Sequence, residues 1–361
     1  MIRVHFPHLD PAIPPLDLVA ALRAGGCSGA TTPLGPEERM RDRLNAEAAN
    51  SFQVVDDMND AEVLIYPYRA ASCPEVEEVA NEARKRNIGC VFFSWGDADE
   101  SVNVPYGTVY RHSLFSNRRK DHEQAMAAQV SDPQIELGKK IPLRELSAEP
   151  SVGFCGYVSN PLMRTVYRMA RRRRKAEGLC LRARVIRALK RTKNLHGNFI
   201  MRQSYWAGMR GRFRGRHALG EFRPREDFWN NVINNDYTLC IRGAGNFSYR
   251  FYEVLAAGRI PLFINTRCVL PFEDEIDWRK HCVWVEEDQI DSAGEILVDF
   301  HARLTPQRFR SIQAANRQLW EHRLSPLAFY QTALGREVPG ASVPIPIRDW
   351  DTSEVAASAA M

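Results

Sequence analysis

The sequence predicts an α/β protein built of two parallel-sheet domains. Three observations carry this. Short apolar runs of strand length alternate with helical patterns along most of the chain, which is the signature of parallel strands joined by covering helices. At 361 residues the chain exceeds one typical domain. The apolar patterning also lapses once, from Leu137 to Pro150, where Pro142 and Pro150 bracket a linker. The expected division is therefore residues 1–148, residues 149–335 and a loosely ordered Pro-, Ala- and Ser-rich tail over 336–361.

Element by element, Ile2 to Phe6 reads as the first strand, and residues 25–38, rich in Gly, Pro and Thr, as a mobile loop. Glu62 to Tyr68 and Gly89 to Ser94 are stronger strands, separated by an amphipathic helix over Pro74 to Arg86. Tyr106 to His112 completes that half. The second half opens on a strand from Ser151 to Val158, with a turn from Gly156 to Pro161 at its carboxyl end. A basic helical segment follows, then a strand over Gly197 to Arg202 and a helix over Arg225 to Asn234. Cys282 to Val285 reads as the last strand, and Pro306 to Tyr330 as a closing helix.

The most informative run is DYTLCIRGAGNFSYRFYEVLAAGRIPLFIN, Asp236 to Asn265. Tyr237 to Ile241 and Ile260 to Ile264 have strand length. Between them Ser248 to Ala257 has Phe251, Val254 and Leu255 on one stripe at i, i+3, i+4. Gly258 ends that helix, and Pro261 opens the next strand, where a missing N–H is tolerable. A strand–helix–strand unit of this size is a parallel crossover, and ligands bind in the loop at the carboxyl end of its first strand. That loop carries Arg242, Gly243, Gly245, Asn246 and Ser248, with Arg250 and Glu253 in the first turns of the helix. Glycines allow close backbone approach, and a helix start near Ser248 offers free N–H groups to phosphate. Arg242 and Arg250 suit a diphosphate, and Glu253 suits ribose hydroxyls. The bland alternative is an Arg250–Glu253 surface pair worth about 1 kcal/mol or less. A nicotinamide cofactor is disfavoured. The third glycine of the fingerprint is replaced by Ser248, and the ribose-binding acid is replaced by Asn265.

A second candidate site, SWGDADE over Ser94 to Glu100, follows a strand of the first half. Asp97 or Asp99 there would serve as general base, the alternative being an acidic turn. His8 and His112 are further candidate bases near strand ends, although a lone histidine is more often structural. No hydrolase elbow or metal-ligand spacing is present.

Net charge is +5, and the excess is concentrated. Arg164, Arg168, Arg171 to Arg174, Lys175, Arg182, Arg184, Arg187, Lys190, Arg191 and Lys193 share one segment with a single acid, Glu177. A solvated helix face, docking to an anionic membrane and nucleic-acid binding compete for it, the last without any recognition motif. The 8 cysteines lack CxxC pairs, and several fall in apolar runs, so buried thiols in a reducing compartment are expected. No apolar stretch approaches a membrane span, and the first residues lack a signal-peptide core.

The block IRGAGNFSYRFYEVLAAGRIPLFIN resembles the C-terminal signature of exostosin-type glycosyltransferases, an S-x-R-F-x-E-x-L-x-x-G-x-I-P run after a strand. The matching residues are Ser248, Arg250, Phe251, Glu253, Leu255, Gly258, Ile260 and Pro261, and the resemblance covers Tyr237 to Pro271. It implies a GT-B fold, two Rossmann-like domains facing across a cleft, with the donor in the second domain and the acceptor in the first. It implies inverting transfer, no cofactor and usually no metal, with a UDP-sugar favoured over a GDP-sugar. It assigns Arg250 and Glu253 to the donor site, Glu253 to the nucleotide ribose, and makes Gly156 a donor-loop residue. The lack of an anchor fits a bacterial cytoplasmic enzyme of surface-glycan synthesis, acting on a glycan or lipid-linked glycan and peripheral at the inner membrane face. A fucosyltransferase-like enzyme and a non-catalytic nucleotide- or glycan-binding module are the alternatives.

Overall fold

The computed structural model describes residues 1–10, 12–13, 15–23, 44, 47–158, 169, 173–202 and 224–338. Among them are two wholly parallel sheets. The first contains β1 (Ile2–His5), β2 (Phe52–Val54), β3 (Val63–Arg69), β4 (Gly89–Ser94), β5 (Thr108–Arg111) and β6 (Glu123–Ala125), in the order β2-β1-β3-β4-β5-β6. The second contains β7 (Ser151–Tyr157), β8 (His196–Arg202), β9 (Tyr237–Cys240), β10 (Ile260–Asn265) and β11 (Val283–Glu286), in the order β11-β10-β9-β7-β8. Each is thus a doubly wound sheet. The chain leaves its first strand to one side, then returns to build on the other. The switch points lie between β1 and β3 and between β7 and β9.

The helices are α1 (Asp17–Arg23), α2 (Pro74–Arg86), α3 (Pro133–Leu137), α4 (Arg173–Arg191), α5 (Pro224–Ile233), α6 (Tyr249–Ala256), α7 (Ala293–Ala302), α8 (Pro306–Leu319) and α9 (Pro326–Gly335). In α2, Pro74 sits in the first turn, where its missing N–H costs nothing. Its buried stripe of Val76, Val79, Ala80 and Ala83 covers the first sheet, and Asn87 closes it in the left-handed region. The crossover β9-α6-β10 forms as its pattern predicts. Gly258, at φ +59°, supplies the left-handed turn that ends α6.

Several elements differ from the sequence reading. The three-residue β2 and β6 are too short to show a periodic signal. The closing helix is interrupted: α8 ends at Leu319, Trp320–Leu324 is a π-helical turn, and α9 begins at Pro326. Proline forces the preceding residue out of the helical region, and Ser325 is extended at ψ 156°. Helix α9 then packs on the first sheet. Phe93 and Tyr110 stack on each other at 5.6 Å, Tyr330 meets Phe93 at 5.4 Å, and Phe329 meets Tyr110 at 5.7 Å.

The 138–150 segment has no regular structure but is tied down. Asp236, fully buried at the head of β9, accepts from Ser147 Oγ (2.6 Å), Arg144 Nε (2.9 Å) and both the backbone and hydroxyl of Ser151. Burial pushes its carboxyl up, and these donors more than reverse that, so its pKa lies below the ordinary value. Helix α3 belongs with the second domain too, through a two-pronged pair between Asp132 and Arg317 (2.7 and 2.9 Å). Cys90, Cys155, Cys240 and Cys282 are buried free thiols. No helix among the described residues is long and apolar enough to cross a membrane. The 25–38 loop, most of the 336–361 tail and the basic residues 164 and 168 lie outside the described residues.

Candidate active site

The two sheets meet along their carboxyl edges, and the loops after β4, β5, β9 and β10 make the contact. The Gly245 N–H donates to Asp97 Oδ1 at 3.1 Å, the Asn246 N–H to Ser113 Oγ at 2.9 Å, and Arg119 pairs with Glu273 at 2.6 Å. Phe115 and Cys268 form an antiparallel bridge, and the His112 ring stacks on Phe247 at 4.9 Å. Ligand crevices in doubly wound sheets open outside the carboxyl ends of the strands at the switch point. In the second sheet that point is the β7/β9 boundary, and there the predicted donor residues converge.

Gly156 lies at the carboxyl end of β7. Helix α6 starts opposite it and carries Arg250 back across the boundary. The Arg250 guanidinium lies 4.4 Å over the Phe154 ring and donates to the Cys155 carbonyl at 2.6 Å. A Cβ on Gly156 would stand 2.6 Å from Arg250 Nη2, so a glycine is needed for this approach. Burial lowers the Arg250 pKa from its ordinary value, and the nearby Arg202 guanidinium, at the end of β8, works in the same direction. Arg202 is itself paired with Asp227 at 3.2 Å and donates to the Pro224 carbonyl at 2.8 Å. The Ser248 side chain, at the N-cap of α6, makes no capping bond, and the first N–H groups of a helix have no carbonyl of a preceding turn to meet.

Arg242 is buried and reaches Glu177 of α4 at 3.3 Å. Gly243 lies against Gly178 of the same helix. Arg182, part of the basic run, is also buried, donating to the carbonyls of Arg242 and Tyr157 at 3.2 Å. This arginine therefore braces the glycine loop, and Arg184 pairs with Asp291. Arg187, Lys190, Arg191 and Lys193 remain exposed.

The remaining predicted residues divide. Asn246 is fully buried and its side chain is consumed by the domain seam. It donates from Nδ2 to the Leu114 carbonyl at 3.1 Å and accepts at Oδ1 from Thr266 Oγ1 at 2.6 Å. Glu253 is not paired with Arg250 but with Arg225 of α5, at 2.7 Å. Arg250 and Glu253 both come from α6, which packs on β9 and β10. In the first domain, Asp97 is exposed at the seam, whereas the Asp99 side chain is 4% exposed and accepts from Arg118 at 3.2 Å. His112 is buried, accepts from the Gly96 N–H at 3.2 Å, and burial pushes its pKa down to about 4. His8 is exposed after β1, in the left-handed region at φ 56°. Arg202 and Arg225 were not singled out by sequence reasoning. Both stand at the edges of segments outside the crossover unit, and no local pattern marks them.

Residues 173–300 match the family model of the Exostosin GT47 domain. The match includes the β8, β9 and α6 residues of the site but none of β7, so Phe154, Cys155 and Gly156 lie outside it. Among curated relatives, Exostosin-1 of Drosophila melanogaster is 32% identical over 97 residues, covering 27% of this chain and 12% of the relative. A probable glycosyltransferase of Arabidopsis thaliana is 28% identical over 98 residues, covering 27% and 19%. A probable glucuronosyltransferase of Oryza sativa subsp. japonica is 29% identical over 120 residues, covering 31% and 28%. The chain thus spans less than a third of the length of these relatives, and the similarity to the exostosin family lies in the second domain. Among solved structures, the crystal structure of TarM covers 73% of this chain and 52% of its own, at 10% identity and a TM-score of 0.34. A GtfA/B complex bound to UDP and GlcNAc gives 10% identity and a TM-score of 0.28.

Proposed function

We propose that the chain is an inverting glycosyltransferase of GT-B architecture. It moves a sugar from a nucleotide donor, a UDP-sugar in preference to a GDP-sugar, to a hydroxyl of a glycan or lipid-linked glycan. A bacterial surface polysaccharide or glycoconjugate is the product. One observation carries this reading. The exostosin-matched helix α6 delivers Arg250 and Glu253 together to the switch point of the second sheet, against Gly156. The diphosphate lies at the α6 N-terminus beside Arg250 and Arg202, with Arg242 behind the loop. Glu253 accepts from the ribose.

The reaction needs a base on the acceptor side and charge stabilisation on the leaving side. Asp97 is the base: it is exposed at the seam and already touches the donor loop through Gly245. Asp99 is committed to Arg118. As the acceptor oxygen attacks the anomeric carbon in line, its proton passes to Asp97. The bond to the diphosphate breaks, and negative charge grows on the phosphate oxygen at the helix N-terminus. Preorganised donors there stabilise that charge without reorganising.

The test is nucleotide binding. UDP should raise the unfolding temperature of the wild type, and a Glu253→Gln variant should lose most of that shift. Turnover of UDP-sugars, read as released UDP with an acceptor present, separates an enzyme from a binding module. A wild type stabilised by neither UDP nor GDP would overturn the assignment.

A further inference from the structure

Glu253 is held by a chain of charges rather than by its own helix. Arg225, in the first turn of α5, donates through Nη1 to Glu253 Oε1 at 2.7 Å. Its other edge is taken by Glu136 of α3 in a two-pronged pair, Nε to Oε1 at 2.7 Å and Nη2 to Oε2 at 2.9 Å. The guanidinium also lies 4.7 Å over the Trp229 ring and 5.1 Å over Phe228. Both carboxylates are nearly closed to solvent, at 7% and 11% side-chain exposure. Burial would lower the Arg225 pKa, but the charges of Glu253 and Glu136 raise it overall, so the cation is permanent. Among the described residues, Arg225 is the one donor that reaches the Glu253 carboxylate.

This arrangement has a geometric consequence. A carboxylate has two oxygens and about four acceptor sites, and a partly buried guanidinium that holds one oxygen restricts where the other can lie. Arg225 cannot swing, because Glu136 grips it in the fork–fork geometry and two aromatic rings floor it. Glu136 comes from α3, before the exostosin-matched segment, so the aiming device spans more of the chain than the family motif does.

We infer that Arg225, anchored by Glu136, is the positioning residue that aims Glu253 at the ribose hydroxyls of the nucleotide. The inference rests on the donor-site reading above. Without the clamp, the Glu253 rotamer is free, and the hydroxyls meet a carboxylate that must be ordered at the moment of binding. The ligand class recognised is a ribonucleotide, as opposed to its deoxy counterpart.

Calorimetric titration with two probes tests this, UDP and 2′,3′-dideoxy-UDP, with GDP run in parallel. Wild type should bind UDP about tenfold to a hundredfold more tightly than the dideoxy form, as expected for hydrogen bonds to a charged acceptor. Arg225→Gln should weaken UDP by about tenfold and leave the dideoxy form within about twofold. Arg225→Lys, which keeps charge but not the fork, should fall between. If Arg225→Gln does not fold, Glu136→Gln replaces it, with a smaller loss and the same dependence on the hydroxyls. Equal weakening of both probes, or of neither, overturns the inference while leaving the donor site standing. A wild type that binds neither UDP nor GDP overturns the donor-site reading instead.

Discussion

Asn246 offers the clearest separation of structure from ligand binding, because it stands inside the glycine loop yet faces the wrong way to meet a donor. Replacing it with alanine removes two buried side-chain hydrogen bonds, to the Leu114 carbonyl and from Thr266 Oγ1. Each is worth about 1 kcal/mol net, and the stranded carbonyl and hydroxyl add about 1 kcal/mol or more between them. The expected loss is about 3 kcal/mol, or a fall of about 5–10 °C in unfolding temperature. Differential scanning fluorimetry of Asn246→Ala, with and without UDP, is the assay. The shift produced by UDP should be the same in wild type and variant, since no donor contact is removed. Pairing the change with Thr266→Val should cost less than the sum of the two single variants, because the valine leaves no hydroxyl to strand. An Asn246→Ala protein with unchanged unfolding temperature and no response to UDP would refute the reasoning and return Asn246 to the ligand.

Two further expectations concern the first domain. Asp97→Asn, which still accepts from the Gly245 N–H, should lower kcat by about 10²–10⁴-fold with donor KM within a few-fold, the scale of lost general-base catalysis. Asp99→Asn should cost stability through Arg118 and keep turnover, and a fully active Asp97→Asn enzyme would remove Asp97 from the mechanism. His112 predicts a pH dependence of stability. Its folded pKa of about 4 lies below the ordinary 6.5 because burial disfavours the imidazolium, with Arg69 adding repulsion. The unfolded chain therefore binds the proton more readily between these values. The contribution is complete above pH 6.5 and is lost as pH falls toward about 4, amounting to about 3 kcal/mol at most. Denaturant melts at pH 7 and 4.5 should show a smaller drop for His112→Gln than for wild type. An equal drop would show that some other group carries the acid sensitivity.

How much of the site was legible in sequence follows from how local each signal is. The β9-α6-β10 unit could be read residue by residue, because apolar spacing, a glycine stop and a strand proline act within a few residues of one another. Arg250 and Glu253 were legible by the same token, since a helix start after a strand in a parallel fold can point to few places. The pairing of Glu253 was not. Its neighbour in sequence suggested Arg250, but its partner is Arg225, with Glu136 behind it on a helix that precedes the whole second sheet. Likewise the Gly156–Arg250 approach and the burial of Arg182 depend on which strands lie side by side, and no periodicity encodes that.

By itself, then, the chain determined the frame of its layers: the longer apolar strands, the helices with a clear stripe between them, and a parallel arrangement. Hydrophobic period and turn chemistry suffice for that because they are satisfied within each element. Only the tertiary structure decided which of two neighbouring acids faces the seam, that the Asn246 side chain is tied to Leu114 and Thr266, and that α9 returns to the first sheet. Those outcomes rest on buried hydrogen bonds and ion pairs between segments far apart in sequence, whose partners are selected by packing at the sheet edges and not by any local preference.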